Sequence, residues 1–80
     1  MATVNFSTEL QKFTNEAHTQ ISSTVYRDML KELELRYPLL KNSQLAKMAV
    51  AIDGVIIVDP FFDVIPVDGD VYFLHFIAGG

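Results

Sequence analysis

The chain has 80 residues, half of them hydrophobic and a fifth charged, with a net charge of −4 and no cysteine. A length of this order supports one domain around one core. The missing cysteine excludes a disulfide framework, a thiolate zinc site and any chemistry on a cysteine sulfur.

The charges are unevenly placed. Lys12, Arg27, Lys31, Arg36, Lys41 and Lys47 are the only basic residues, and Asp53, Asp59, Asp63, Asp68 and Asp70 follow with nothing to offset them. Nucleic-acid binding rests on Lys and Arg neutralising phosphates, so this distribution argues against it. It suits a partner with a basic surface, or simply a solvated acidic face. No apolar run of about 18 residues predicts a membrane span. The first residues show no basic segment leading into an apolar stretch, so no signal peptide is expected and a cytoplasmic location is.

Along the chain, Val4 and Phe6 stand two apart in a segment from Thr3 to about Ser7, as in a half-buried strand. Glu9 to Phe13 fits no single template. Thr14 to Ala17 reads as a turn, and His18 to Ser22 as a second strand around Ile21. Ser23 or Thr24 is placed to cap a helix with its hydroxyl. Val25, Tyr26, Met29, Leu30, Leu33 and Tyr37 then recur at helical spacing and form one apolar face, with Leu35 pointing away from it. Glu32 is spaced to pair with Arg36. Pro38 disfavours helical angles at Tyr37, so the helix is predicted over about 24–37.

After a connection from Leu39 to Gln44, Met48, Val50 and Ile52 alternate with Ala49 and Ala51, predicting a strand with one face on the helix. Asp53-Gly54 is a hairpin signal, because both residue types tolerate the positive φ of a type I′ turn. Val55 to Val58 is the return strand, ended by Asp59-Pro60. Phe61 to Val67 reads as a loop or very short strand anchored by Phe62 and Ile65, with at least one of Phe61 and Phe62 in the core. Asp68-Gly69-Asp70 makes a turn rather than a pair of working carboxylates, and Val71 to Phe76 is the last strand.

The sequence closes on Ala78-Gly79-Gly80. Glycine lacks a Cβ, so such a tail is thin and pliable enough to enter a narrow active site. The order of elements predicts an α+β domain over 1–76, with a mixed sheet of four or five strands on one main helix and a flexible tail over 77–80. The first and last strands are expected side by side in the sheet. That is a β-grasp arrangement, and with the Gly-Gly end it is ubiquitin-like. His18 and His75, the only histidines, fall on different elements, and no metal site is expected.

Taken together, several segments make the chain resemble the small sulfur carriers of the molybdopterin-synthase small-subunit and thiamine-biosynthesis type. They are Ser23-Thr24-Val25 opening the helix, Met48 to Gly54, Asp68-Gly69-Asp70, Val71-Tyr72-Phe73-Leu74-His75-Phe76, and Ile77-Ala78-Gly79-Gly80. The resemblance implies a carrier that is not itself an enzyme and binds no cofactor. An ubiquitin-activating-like adenylating enzyme uses ATP to activate the Gly80 carboxylate, and a persulfide-bearing sulfurtransferase replaces AMP to leave a thiocarboxylate. The sulfur then passes to an acceptor enzyme, such as a molybdopterin-synthase large subunit or a thiazole synthase. Phe76 and Ile77 would anchor the tail, and Ala78 and Gly79 would lie in the partner's grip. Two other readings share the fold: a modifier joined through Gly80 to lysines of other proteins, and a β-grasp domain that only binds. Neither nucleic acid nor membrane is an expected partner.

Overall fold

The computed structural model describes residues 1–41, 45, 48–57 and 60–75. In chain order the elements are β1 (Ala2–Asn5), α1 (Gln11–Thr14), β2 (His18–Ile21), α2 (Tyr26–Arg36), β3 (Met48–Ile52), β4 (Val55–Ile57) and β5 (Asp70–His75). The five strands form one mixed sheet in the order β2-β1-β5-β3-β4. β1 and β5 run parallel, with Val4 opposite Val71, and every other pairing is antiparallel. The expected contact between first and last strands is therefore present, at the centre of the sheet.

Strand alternation decides which face meets the helix. Val4, Val50, Val71 and Phe73 turn inward and are buried, and Met29 and Leu33 of α2 are fully buried with them in one cluster. Leu40, Leu45 and Ile65, from the connections, close its edges. Phe6 lies just past the end of β1, but its ring meets Tyr37 edge-on at 5.5 Å and stays in the core. Leu35, expected to point away, is exposed.

Between β1 and β2, where no template fitted, α1 is a single helical turn. Asn15 ends it in the left-handed region at φ 57°, with its amide on the Gln11 carbonyl. The buried Thr14 hydroxyl is satisfied locally, donating to the Glu16 carbonyl at 3.0 Å and accepting the Glu16 amide at 3.2 Å. The Asp53-Gly54 turn joins β3 to β4 with φ of 51° and 84°, as the hairpin signal requires.

Three expectations need correction. The helix begins at Tyr26 rather than near Thr24, because Val25 is extended and pairs with Val64. Neither Ser23 nor Thr24 caps it by side chain. The first free amides instead meet backbone carbonyls, Tyr26 on Asp63 at 2.9 Å and Arg27 on Phe61 at 3.0 Å. Phe62 does not anchor its loop: it is 68% exposed and Phe61 50%, so neither joins the core, while Ile65 does. A loop whose carbonyls are committed to the helix end turns these two rings outward.

Candidate functional site

The residues that the sequence reading puts to work, Phe76, Ile77, Ala78, Gly79 and Gly80, lie outside the described residues. What the structure describes is the platform that leads to them. β5 runs between β1 and β3, parallel to one and antiparallel to the other, and ends at His75 opposite Met48. β1 pairs with its first half, Asp70 to Tyr72, and β3 with the strand from Val71 to His75, so the end at His75 is held by β3.

The face of the sheet turned away from α2 has a distinct make-up. On the β2 and β1 side its positions are polar: His18, Gln20, Thr3 and Asn5. On the β5, β3 and β4 side they are Tyr72, Leu74, Ala49, Ala51 and Ile56. Ala51 stands opposite Tyr72 on one strand and Ile56 on the other. Ala51 is only 8% exposed, whereas Tyr72 is 48% and Ile56 64% exposed. Two tall side chains thus flank a floor of alanines. Asp70, at one end, is the only charged residue at these outward positions. An apolar surface poor in charge and bordered on one side by polar residues has the composition of a protein-binding patch.

The sequence reading did not single out this face. The signal was present in β3, where Ala49 and Ala51 leave the strand apolar on both sides, but alternation against the helix accounted for only one of them.

His18 opens β2 and His75 closes β5, on strands separated by β1. Among the described residues no three His, Asp or Glu side chains stand together in a way that would hold a metal ion. Asp68 lies in the turn closed by the Gly69 amide on the Pro66 carbonyl at 3.0 Å, and Asp70 opens β5. Asp68 takes φ 60°, and the Asp70 amide donates to the Asp53 carboxylate at 2.8 Å. Gly69 suits this close approach, since a Cβ would stand 3.0 Å from the Pro66 carbonyl oxygen and 3.2 Å from the Asp53 carboxylate. Among the described residues no helix is long and apolar enough to cross a membrane.

No protein-family model matches this chain, and no curated protein matches it. The class defined by the described residues is a small α+β domain with a five-stranded mixed sheet covered on one face by α2.

Proposed function

We propose that this chain is a sulfur carrier of the β-grasp, ubiquitin-like type, with Gly80 as its carboxyl-terminal residue and its reactive end. The observation that carries this reading is the place of β5. β5 is the central strand of the sheet, and the sequence that follows it reaches Ile77-Ala78-Gly79-Gly80, where the glycines bring no Cβ to obstruct a narrow active site. The sheet order and the resemblance to molybdopterin-type and thiamine-type carriers support it further.

In this reading the folded body does no acid, base or metal chemistry. The Gly80 carboxylate attacks the α-phosphorus of ATP on an adenylating enzyme and pyrophosphate leaves. The terminal sulfur of a persulfide on a sulfurtransferase displaces AMP, giving an acyl disulfide. A thiol then attacks the sulfurtransferase sulfur of that S–S bond, forming a new disulfide with it and releasing the thiocarboxylate, which donates its sulfur to an acceptor held by another enzyme. The charge-poor outer face with Tyr72 and Ile56 is the surface on which the adenylating enzyme rests, and the reaction is cytoplasmic.

Intact-mass analysis of the protein recovered from its own cells tests this. A species heavier by the difference between sulfur and oxygen, localised to Gly80 and absent after deletion of Gly80, is the expected result. Gly-Gly remnants branched onto lysines of other proteins would identify a modifier instead. Unmodified protein, with full biological activity after Gly80 is deleted, would leave only a binding domain.

A further inference from the structure

The end of the molecule where α2 begins carries a second surface. Phe61, Phe62, Val64 and Val67 lie on one short loop and are 50%, 68%, 69% and 74% exposed. This loop is not slack. It gives the carbonyls of Phe61 and Asp63 to the helix amides, takes the Thr24 carbonyl with the Ile65 amide at 2.7 Å, and bridges Val64 to Val25. Backbone hydrogen bonds to the helix start thus hold the Phe61–Ile65 segment while Phe61, Phe62, Val64 and Val67 face water. Holding them there costs hydrophobic free energy, and a rigid exposed patch lowers the ordering cost of binding.

Two features complete it. Phe61 and Phe62 meet edge-on at 4.6 Å, with the Arg27 guanidinium 5.8 Å and 5.3 Å from the two ring centres. At the other end of the loop a cavity of about 230 Å³ opens between Met1, Ser23, Thr24, Ile65, Pro66 and Val67. That is room for one aliphatic or aromatic side chain.

The charge around the patch selects the occupant. Asp28, Asp53, Asp63, Asp68 and Asp70 are all exposed on the helix start, the hairpin turn and this loop. The cations on the same elements are Arg27, already against Asp28 at 3.7 Å, the amino-terminal ammonium, held by Asp68 at 3.1 Å, and Lys31 one turn along α2. Carboxylates outnumber cations, which repels an anionic membrane surface and attracts a basic protein segment.

We propose that this pole docks a cationic segment of a partner protein, with an apolar side chain anchored in the cavity and Lys or Arg residues against the flanking aspartates. β5 starts at this pole and runs away from it, so the surface lies at the opposite end of that strand from His75. The proposal goes beyond the Gly80 reading and does not rest on it.

The test is to pan a random peptide library displayed on phage against the folded chain. The enriched peptide is then titrated into isotopically labelled protein by NMR. The expected consensus places Lys or Arg around an aliphatic or aromatic residue, with affinity falling as salt is added. Amide shifts are expected over Thr24–Asp28 and Phe61–Asp70. Combining Phe62→Ser with Val67→Ser should weaken binding about tenfold or more without moving Tm, because both side chains are exposed. Asp63→Lys should weaken it independently of any apolar change. No enrichment, an acidic consensus, shifts on the outer sheet face, or an affinity unmoved by these variants would overturn the proposal. Self-association or vesicle binding through the same residues in place of peptide binding would do so too.

Discussion

The Glu32 carboxylate accepts the Ser23 hydroxyl at 2.6 Å, tying the second turn of α2 back to the segment that precedes it. The same carboxylate takes the Ser22 and Ser23 amides, each at 3.1 Å, and pairs with Arg36 at 3.1 Å. Burial opposes the charge. The Ser23 hydroxyl, the two amides and Arg36 outweigh it and hold the carboxyl below the usual glutamate range. A carboxylate depressed by folding stabilises the protein above its unfolded pKa, and that stability is lost as pH falls through the folded value. Glu32→Gln should therefore cost about 1–2 kcal/mol near neutral pH. Urea unfolding of both proteins should show the gap closing as the solution is acidified past the ordinary glutamate pKa of 4.5. A gap that stays constant would mean the loss is one of shape rather than charge.

At the alkaline end Tyr26 governs. It is buried beside Phe73, with ring centroids 6.4 Å apart, and burial pushes its hydroxyl up to about 12. Burial, aided by the Glu16 carboxylate 3.0 Å away, raises Tyr37 as well. A tyrosine whose pKa is raised on folding contributes full stability below the unfolded value of 10.0 and loses it from there up to the folded value. Wild-type stability should fall over that range, and Tyr26→Phe should flatten the fall by up to about 1.4 kcal/mol per pH unit. An unchanged slope in the variant would show that Tyr26 does not stay protonated in the folded chain.

These networks also mark what the residues disclosed and what they withheld. The apolar face of α2, the stop at Pro38 and the Asp53-Gly54 hairpin were legible because each rests on neighbours in sequence. The Glu32–Arg36 pair was legible for the same reason. The helix start was not, because the carbonyls that satisfy it belong to Phe61 and Asp63, far along the chain. The outward turn of Phe61 and Phe62 follows from that same long-range contact, which no local pattern reports. As for the site, Gly79-Gly80 is a signal carried by two adjacent residues and so visible in the sequence alone. The outer sheet face was missed because it exists only when β3, β4 and β5 are placed side by side.

Leu33 is the residue on which the helix orientation depends. It is fully buried at the middle of the inner face. Leu33→Ala should cost about 2–5 kcal/mol, the range for truncating a core leucine. Leu35→Ala, on a residue 85% exposed, should stay within about 0.5 kcal/mol. Chemical unfolding of the pair measures both, and equal losses would contradict the packing described.

The two turn glycines, Gly54 and Gly69, should fail differently on substitution. At Gly54 a Cβ meets nothing within 4 Å, but φ is 84°, so Gly54→Ala pays only backbone strain, about 1 kcal/mol. At Gly69 a Cβ presses on the Pro66 carbonyl oxygen at 3.0 Å and on the Asp53 carboxylate at 3.2 Å. Gly69→Ala should cost about 1–3 kcal/mol, the range for overpacking a close contact. It should also weaken the link from Asp53 to the Asp70 amide. Hydrogen exchange at Asp70 reads that link directly: faster exchange is expected in Gly69→Ala and not in Gly54→Ala.

The outer face provides the sharpest division between fold and function. Ile56 is 64% exposed on the edge strand β4, beside the alanine floor and across it from Tyr72. Because little of it is buried, Ile56→Lys should change stability by no more than about 1 kcal/mol. If an adenylating enzyme rests on this face, the same change puts a charge into the middle of an apolar contact. The rate of Gly80 thiocarboxylate formation should then drop about tenfold or more. Leu35→Ser, on the far side of α2, serves as the control and should leave that rate alone. The measurement is product formation by mass spectrometry at limiting carrier concentration, where a weakened encounter lowers kcat/KM before kcat. Equal rates for Ile56→Lys and the wild type would remove this face from the activation step while leaving the chemistry at Gly80 to stand on its own test.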